Sequence, residues 1–361
     1  MAHDVFIKDI ELQNFRCFQN QKLSLDHKVI ILHGNNGKGK TTLVEAIYYL
    51  CYFKSFRSRF PDVLVREGEN HFFLKGSFQR DEIATTVQIG YASKKKMIKV
   101  NDKALSSYRD VLDLYRVVVF TNDDIDLIRE GPKGRRQFID QVVMLDDVRT
   151  AEVYQEYNQI LKQRNASLEQ KHSQEMYMIW FQKLYELSQK IISFRIDMLK
   201  RLEDEAHVFI EKHFKGEFTI CMKYKSYLKA FSNISFEDFF ASNQDLYQKE
   251  LIMKRSLFGA HFDDVIFFFQ EAKAQAYSSR GQQKILLFLV KMAQVSLLQS
   301  KGFVSLLLFD DFISDFDIDR LKSIISIISS LKNQLIFTSP YYNNFLKEVL
   351  ETLIPFEILL D

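Results

Sequence analysis

From Val5 to Phe18 apolar and polar residues alternate, with Ile10 and Leu12 on one side and Glu11 and Gln13 on the other, and the alternation resumes at Leu23 and Leu25. A period of two predicts two antiparallel strands, each with one face on a core. Val29–Leu32 is instead continuously apolar, the pattern of a strand buried on both faces. Leu43, Ile47 and Leu50 then recur at helical spacing. Further strands are predicted at His71–Phe78, Ile83–Tyr91, Lys96–Val100 and Arg116–Phe120, with a turn at Asn101-Asp102 and with Lys94-Lys95-Lys96 at a solvated hairpin tip.

The pattern changes at Gly131-Pro132. No proline occurs between Pro132 and Pro340. Trp180, Leu184, Leu187, Ile191, Phe194, Met198 and Leu202 recur at steps of mostly four and three, and Tyr154, Tyr157, Leu161 and Leu168 repeat the pattern upstream. Such seams predict two long helices packed antiparallel as an arm, turning near Ser167–Ser173. An aromatic and Met stripe at this spacing is helix–helix core rather than a cofactor site. Short β-like runs at Phe218–Tyr224 and Val265–Phe269 lead back to the first domain, followed by an apolar helix at Ile285–Val295 and strands at Val304–Phe309 and Gln334–Phe337. The predicted fold is an α/β head, residues 1–125 and 265–361, with an inserted helical, coiled-coil-like arm, residues 126–264.

Between the Val29–Leu32 strand and the helix that follows lies Gly34-Asn35-Asn36-Gly37-Lys38-Gly39-Lys40-Thr41-Thr42. Strand, glycine-rich loop and helix form a phosphate-binding loop, with Gly34, Gly39, Lys40 and Thr41 at the required positions. Glycines let backbone N–H groups turn inward around an anion, and the helix start adds its unpaired N–H groups and dipole. Lys40 is expected to reach the terminal phosphates, and Thr41 to ligate Mg²⁺. In Val304–Asp311 an apolar strand ends in two acids. Adjacent carboxylates are costly to hold together without a cation, so Asp310 is assigned to the metal and Asp311 to polarising the attacking water. Upstream, Ser279-Arg280-Gly281-Gln282 opens the Ile285–Val295 helix as a second anion site, with Ser279, Gly281 and Gln282 as contacts. Two phosphate-binding helix starts exceed what one nucleotide in one chain needs. A head-to-tail dimer solves this, each nucleotide lying between the phosphate loop of one copy and the serine–glycine turn of the other. Ser314-Asp315-Phe316-Asp317 would cross that interface, and Thr338-Ser339 would end a strand near the γ-phosphate. In this order the motifs place the chain among ATPases of the ATP-binding-cassette (ABC) class, with ATP and Mg²⁺ as cofactors.

Composition narrows the setting. With 47% hydrophobic residues a sizeable core is available, and a net charge of +2 leaves any basic surface local. Cys17, Cys51 and Cys221 form no C-x-x-C pair, which argues against a zinc site or disulfide framework and fits a reducing cytosol. Met1-Ala2-His3-Asp4 lacks a signal-peptide pattern, and the longest apolar runs fall far short of a membrane span. A cytoplasmic protein without a membrane partner is expected. Arg16, in the turn Asn14–Phe18, reads from composition as a solvated loop charge rather than a nucleotide contact.

On Asn14-Phe15-Arg16, the phosphate loop, Ser55-Phe56-Arg57-Ser58, Gly131-Pro132 with Arg135-Arg136-x-Phe138-x-Asp140, Leu161–Ala166, Gly259-x-His261, Ser279–Gln282 and Asp310-Asp311, the chain resembles the RecF family over nearly its whole length. These are bacterial DNA-repair ATPases related to the heads of SMC and Rad50 proteins. The resemblance implies an ATP-dependent homodimer with a weak ATPase. It further implies recognition of duplex DNA near single-strand gaps and work with RecO and RecR to load the RecA recombinase. Ser278, Asn122-Asp123, Asp315-Phe316 and Ser339 depart from the family pattern. Candidate DNA-backbone contacts are Lys54, Arg57 and Arg59 on the head, and Arg129, Lys133, Arg135 and Arg136 at the base of the arm. The alternative for them is solvation or pairing with acids such as Glu130 and Asp140. A transporter ATPase subunit would need a coupling surface for membrane helices, and a Rad50-like nuclease partner a very long coiled coil with a C-x-x-C hook. A clamp that uses nucleotide only as glue is disfavoured by intact Lys40, Asp310 and Asp311.

Overall fold

In chain order the strands of the computed structural model are β1 (Val5–Phe15), β2 (Phe18–Ser24), β3 (Val29–His33), β4 (His71–Arg80), β5 (Ile83–Ala92), β6 (Lys95–Val100), β7 (Lys103–Ala104), β8 (Arg116–Thr121), β9 (Ile220–Lys225), β10 (Asp264–Phe269), β11 (Ala272–Lys273), β12 (Ser305–Asp310), β13 (Leu335–Ser339) and β14 (Phe356–Leu359). The structure describes residues 5–105, 115–170, 174–226, 234–313, 316–339, 353 and 356–360. It folds as two units: Met1–Asp124 with Val208–Glu217 and Lys284–Asp361, and Ile125–His207 with Phe218–Gln283. The chain thus re-enters the first unit over Val208–Glu217 and then from Lys284 onward, against the 265 read from the sequence. The reason is pairing: the apolar run of β10 spends its hydrogen bonds on β9 and β11, which hold it in the second unit. Among the described residues no helix is long and apolar enough to cross a membrane.

The first unit is built on two sheets. One, in the order β2-β1-β4-β5-β6-β7, is antiparallel throughout and shows the alternating burial its sequence predicts. The other, β14-β3-β13-β12-β8, is parallel throughout, and the apolar runs of β3, β8, β12 and β13 are buried on both faces while the edge strand β14 is mostly exposed. Phe120, Phe309 and Phe337 share one rung of this sheet and stack ring on ring at 4.5 and 4.7 Å. Helix Lys40–Tyr52 packs against strands of both sheets, which is why it is buried on every side. Gln334 is wholly buried between the sheets, its amide serving Ile7, Leu25 and His27 backbone groups. Lys96 of the basic hairpin is exposed, and its ammonium donates to the Phe53 carbonyl beside the Tyr49 ring.

In the second unit, helices Thr150–Gln170 and Gln174–Phe214 run antiparallel, as the pairs Glu156–Lys183 and Arg164–Tyr177 require. Residues 171–173 of the expected turn lie outside the described residues, and Ser167–Gln170 are still helical. Leu184, Leu187, Ile191, Met198 and Leu202 are buried as predicted, while Trp180 and Phe194 are half-buried. A second buried stripe adjoins them, Phe181, Tyr185, Ile192 and Leu199, and it contains Arg195. On the shorter helix the seam passes through Arg164, which is fully buried and forked onto fully buried Glu250; its two terminal nitrogens also donate to Ser256 and Tyr177, while its Nε has no hydrogen-bond partner. Removing one partner of such a pair strands the other charge at a cost of about 3–5 kcal/mol. Two helices absent from the sequence reading, Phe236–Ser242 and Gln244–Met253, follow, and the second carries Glu250; Ser235 caps the first by accepting the Asp238 N–H.

Candidate nucleotide-binding site

One residue past the phenylalanine rung, the C-terminal ends of β8, β12 and β13 bring Thr121, Asp310 and Thr338 into register, with Leu32 of β3 alongside. Ligands of open parallel sheets bind at this end of the strands. Here β3 runs into the phosphate loop. Gly34, Gly37 and Gly39 have φ of +142°, +83° and +94°, a backbone that only glycine adopts without strain. A Cβ on Gly39 would stand 2.4 Å from the Phe18 ring, and one on Gly34 would stand 2.3 Å from the Leu360 carbonyl oxygen.

The loop encloses its own lysine. Lys40 Nζ donates to the carbonyls of Gly34 at 2.6 Å and Asn35 at 2.8 Å. Burial lowers the Lys40 pKa, and the charges of Asp311 and Asp310 oppose that shift. Thr41 Oγ1 donates to Asp310 Oδ1 at 2.9 Å, and Thr338 Oγ1 donates to the same oxygen at 2.8 Å. Thr338 Oγ1 accepts in turn from the Asp311 N–H at 2.9 Å. Burial raises the Asp310 pKa, the two hydroxyl hydrogen bonds and the Arg57 charge lower it, and Asp311 raises it further. Among the described residues no cluster of three or more His, Cys, Asp or Glu side chains could hold a metal alone. One carboxylate and one hydroxyl, completed by ligand and water oxygens, is the donor set that suits Mg²⁺.

The cavity beside the loop is about 510 Å³ and is lined by Asn36, Gly37, Gly39, Lys40, Thr41 and Thr42, by Asp311 and Thr338, and by Arg16, Cys17, Arg57, Val63 and Val65. Gly34 and Asn35 serve it through Lys40, and Lys38 lies exposed on the outer turn. The sequence reading missed two residues here. Arg16 is no solvated loop charge: it forks onto Glu45 at 2.9 and 3.0 Å. Arg57, assigned above to DNA, lines the cavity beside the phosphate loop. The signal available was the short span from each arginine to the phosphate-loop helix, but their shared partner Glu45 reads as an ordinary helical acid.

Ser279, Gly281 and Gln282 are not among the lining residues. Ser279 N–H donates to Gln282 Oε1 at 2.8 Å while Gln282 N–H donates to Ser279 Oγ at 3.3 Å, a capping box at the start of helix Arg280–Ser300. Of the expected interface loop, Ser314 and Asp315 lie outside the described residues, and Asp317 caps helix Ile318–Ser329 by accepting the Arg320 N–H. Thr338 reaches the cavity, whereas Ser339 is buried in β13. Asn122, one of the departures from the family pattern, accepts from Lys284 Nζ at 2.6 Å.

The arm-base arginines are mostly internal. Arg135 is buried and forked onto Asp264 at 2.7 and 3.0 Å, and Arg136 donates to the Asp263 carbonyl at 2.6 Å, so both are withdrawn as DNA contacts. Arg129 donates to Gln283 at 2.9 Å. Lys54, Arg59 and Lys133 are exposed.

Cys17 offers a direct check on the cavity. It is exposed and lines the pocket, whereas Cys51 is buried. A maleimide should label Cys17 well ahead of Cys51, and saturating Mg–ATP should slow that labelling at least about tenfold, the protection expected of an occupied pocket. Equal rates with and without nucleotide, followed by peptide mass mapping, would place the nucleotide elsewhere.

The RecF/RecN/SMC N terminal domain family matches residues 6–354. The DNA replication and repair protein RecF of Desulfitobacterium hafniense (strain DSM 10664 / DCB-2) is 30% identical over 340 residues, covering 91% of this chain and 92% of that protein. The protein of the same name from Geotalea daltonii is 30% identical over 342 residues, 94% of each chain. Among solved structures, the recombination mediator protein RecF-ATP in the RecFOR pathway superposes with a TM-score of 0.83 at 26% identity, over 95% of each chain. The Smc head domain of Pyrococcus furiosus bound to the C-terminal domain of ScpA shares the fold, with a TM-score of 0.55 at 14% identity over 96% of this chain and 91% of that one.

Proposed function

The chain belongs to the RecF/RecN/SMC family, and from that membership we propose that it is an ATP-dependent DNA-binding protein of recombinational repair and replication-fork maintenance. The carrying observation is Asp310, held by Thr41 of the phosphate loop and by Thr338 of the neighbouring strand. This joins the anion-binding loop to a metal-binding carboxylate. The nucleotide is ATP, as in the RecF-ATP relative. Thr41 and Asp310 would hold Mg²⁺, which when bound neutralises phosphate charge. Lys40 binds the terminal phosphates, and Asp311 takes a proton from the attacking water. With Ser339 where many relatives outside RecF place a γ-phosphate histidine, hydrolysis is slow and serves as a timer.

The active form is a homodimer. Support comes from the two anion-binding helix starts, at Lys40 and at Arg280, one more than a single nucleotide needs. On this reading Ser279, Gly281 and Gln282 complete the site of the second copy. Mixing Ser279→Arg with Lys40→Ala chains should restore roughly a quarter of wild-type hydrolysis if sites act independently, since about half of the dimers then carry one intact site. No recovery in demonstrated mixed dimers, together with good activity in a linked dimer bearing a single Lys40→Ala site, would eliminate the shared site.

The ligand is duplex DNA near single-strand gaps, and RecR and RecO are the protein partners in loading RecA, in line with the RecFOR pathway of the structural relative. Lys54, Arg59 and Lys133 remain as backbone contacts. The test is retention of duplex, single-stranded and gapped DNA with and without Mg–ATP. Gapped duplex should be retained only with ATP. A Lys54/Arg59/Lys133 triple alanine variant should flatten the log–log salt dependence by roughly 0.9 for each DNA phosphate that is no longer neutralised. DNA affinity indifferent to ATP would refute this function.

A further inference from the structure

We infer that Glu45 is a positioning residue that aims two arginines, Arg16 and Arg57, into the nucleotide cavity. The inference rests on the nucleotide reading of the site. Glu45 is the one acid of the phosphate-loop helix and is fully buried. It does not line the cavity, so any effect on the nucleotide passes through its partners. Its two oxygens take both ends of the Arg16 fork, and Oε1 also accepts the Ser55 hydroxyl at 2.5 Å. Ser55 Oγ accepts in turn the backbone N–H groups of Arg57 and Ser58, each at 2.9 Å. The turn that carries Arg57 therefore hangs on the helix through one hydroxyl. Phe56 fastens the same turn, its ring edge-on to Tyr48 at 5.3 Å.

The two arginines are held differently. Arg16 is locked by two hydrogen bonds, with its side chain 24% exposed. Arg57 Nη1 stands 3.8 Å from Glu45 Oε2, inside ion-pair range but beyond a hydrogen bond, and its side chain is 43% exposed. A guanidinium suits phosphate oxygens because its planar fork matches them bidentately. Arg57 can turn its donors to a phosphate while the Ser55 relay keeps its backbone in place. Before phosphate arrives, Glu45 offsets the repulsion among Arg16, Arg57 and Lys40. Once it has arrived, Glu45 keeps Arg16 from swinging away. The Ser55–Ser58 motif thus gains a role as a cavity wall, and the helix that orients Lys40 also orients the arginines.

The experiment is Mg–ATP titration by calorimetry, with thermal melting run alongside, on wild type, Glu45→Gln, Arg16→Ala/Arg57→Ala and the triple variant. Glu45→Gln should weaken ATP about tenfold, the scale of one charge-assisted hydrogen bond, and Glu45→Asp should recover part of the loss. In the Arg16→Ala/Arg57→Ala background, Glu45→Gln should change affinity by less than about twofold, because its route to the nucleotide is gone. An equal loss in both backgrounds would make Glu45 merely structural and overturn the inference. Should Glu45→Gln melt out, Ser55→Ala tests the same route: it should weaken ATP in the wild-type background and not in Arg57→Ala. Ser55→Ala with unchanged affinity would overturn the inference equally. Lys40→Ala keeps the two failures apart. If that variant binds ATP like wild type, the nucleotide reading itself falls. If it does not, a negative result at Glu45 concerns Glu45 alone.

Discussion

Lys40→Ala abolishes ATP binding and, with it, ATP-dependent dimerisation and DNA retention, while the protein stays folded. The side chain is held by the Gly34 and Asn35 carbonyls of the loop, in readiness for an anion. Two charge-assisted hydrogen bonds to phosphate contribute about 3–6 kcal/mol together, a factor of roughly 10²–10⁴ in affinity. Alanine leaves two carbonyls that water can reach from the open cavity, and it suits a helix start. The melting temperature should therefore move by only a few degrees. Calorimetry for ATP and light scattering for the dimer decide the matter. Dimerisation on ATP addition with wild-type affinity would remove the phosphate-loop assignment.

Asp311→Asn separates binding from hydrolysis. The residue has φ of +51°, a conformation that asparagine and aspartate tolerate better than other non-glycine residues. Its backbone N–H stays on Thr338 Oγ1 whatever the side chain, so the turn after β12 is kept. Asp310 and Thr41 remain available to Mg²⁺. What is lost is the base, and turnover should fall by about 10²–10⁴. ATP should still bind and the DNA complex should persist longer than in the wild type. Multiple turnover at the normal rate, measured by phosphate release, would shift the catalytic role to another acid. Alanine is a poorer choice at this position, because it would add backbone strain to the loss of the carboxylate.

What the sequence made legible follows from locality. The phosphate loop, the acidic pair and the strands that present them are each written within about ten consecutive residues, by period, glycine placement and apolar runs. The rest depends on partners far along the chain. Arg16 reads as a loop charge because Glu45 lies 29 residues away on a helix whose other residues are nearly all apolar. Arg135 reads as a DNA contact because Asp264 is 129 residues away. Arg164 sits between Leu161 and Leu168 in the helical seam, and only the fold reveals that Glu250 neutralises it. The polar role of Gln334 is invisible for the same reason, its targets being more than 300 residues upstream. β10 reads as part of the head because an apolar run does not declare which strand it will pair with, here β9.

The order of the parallel sheet sets a timetable for synthesis. Among the described residues β3, which leads into the phosphate loop, pairs with β13 and β14 alone, and β8 with β12 alone. At about 5–20 residues per second, the roughly 300 residues between β3 and β13 keep β3 waiting on the order of 15–60 s for a neighbour. Val29–Leu32 throughout that interval, and Val117–Phe120 from the synthesis of β8 to that of β12, present unpaired apolar edges on the nascent chain, the kind of segment that seeds aggregation. Translation speed and holdase supply, more than the stability of the finished protein, should therefore govern how much of it accumulates in soluble form.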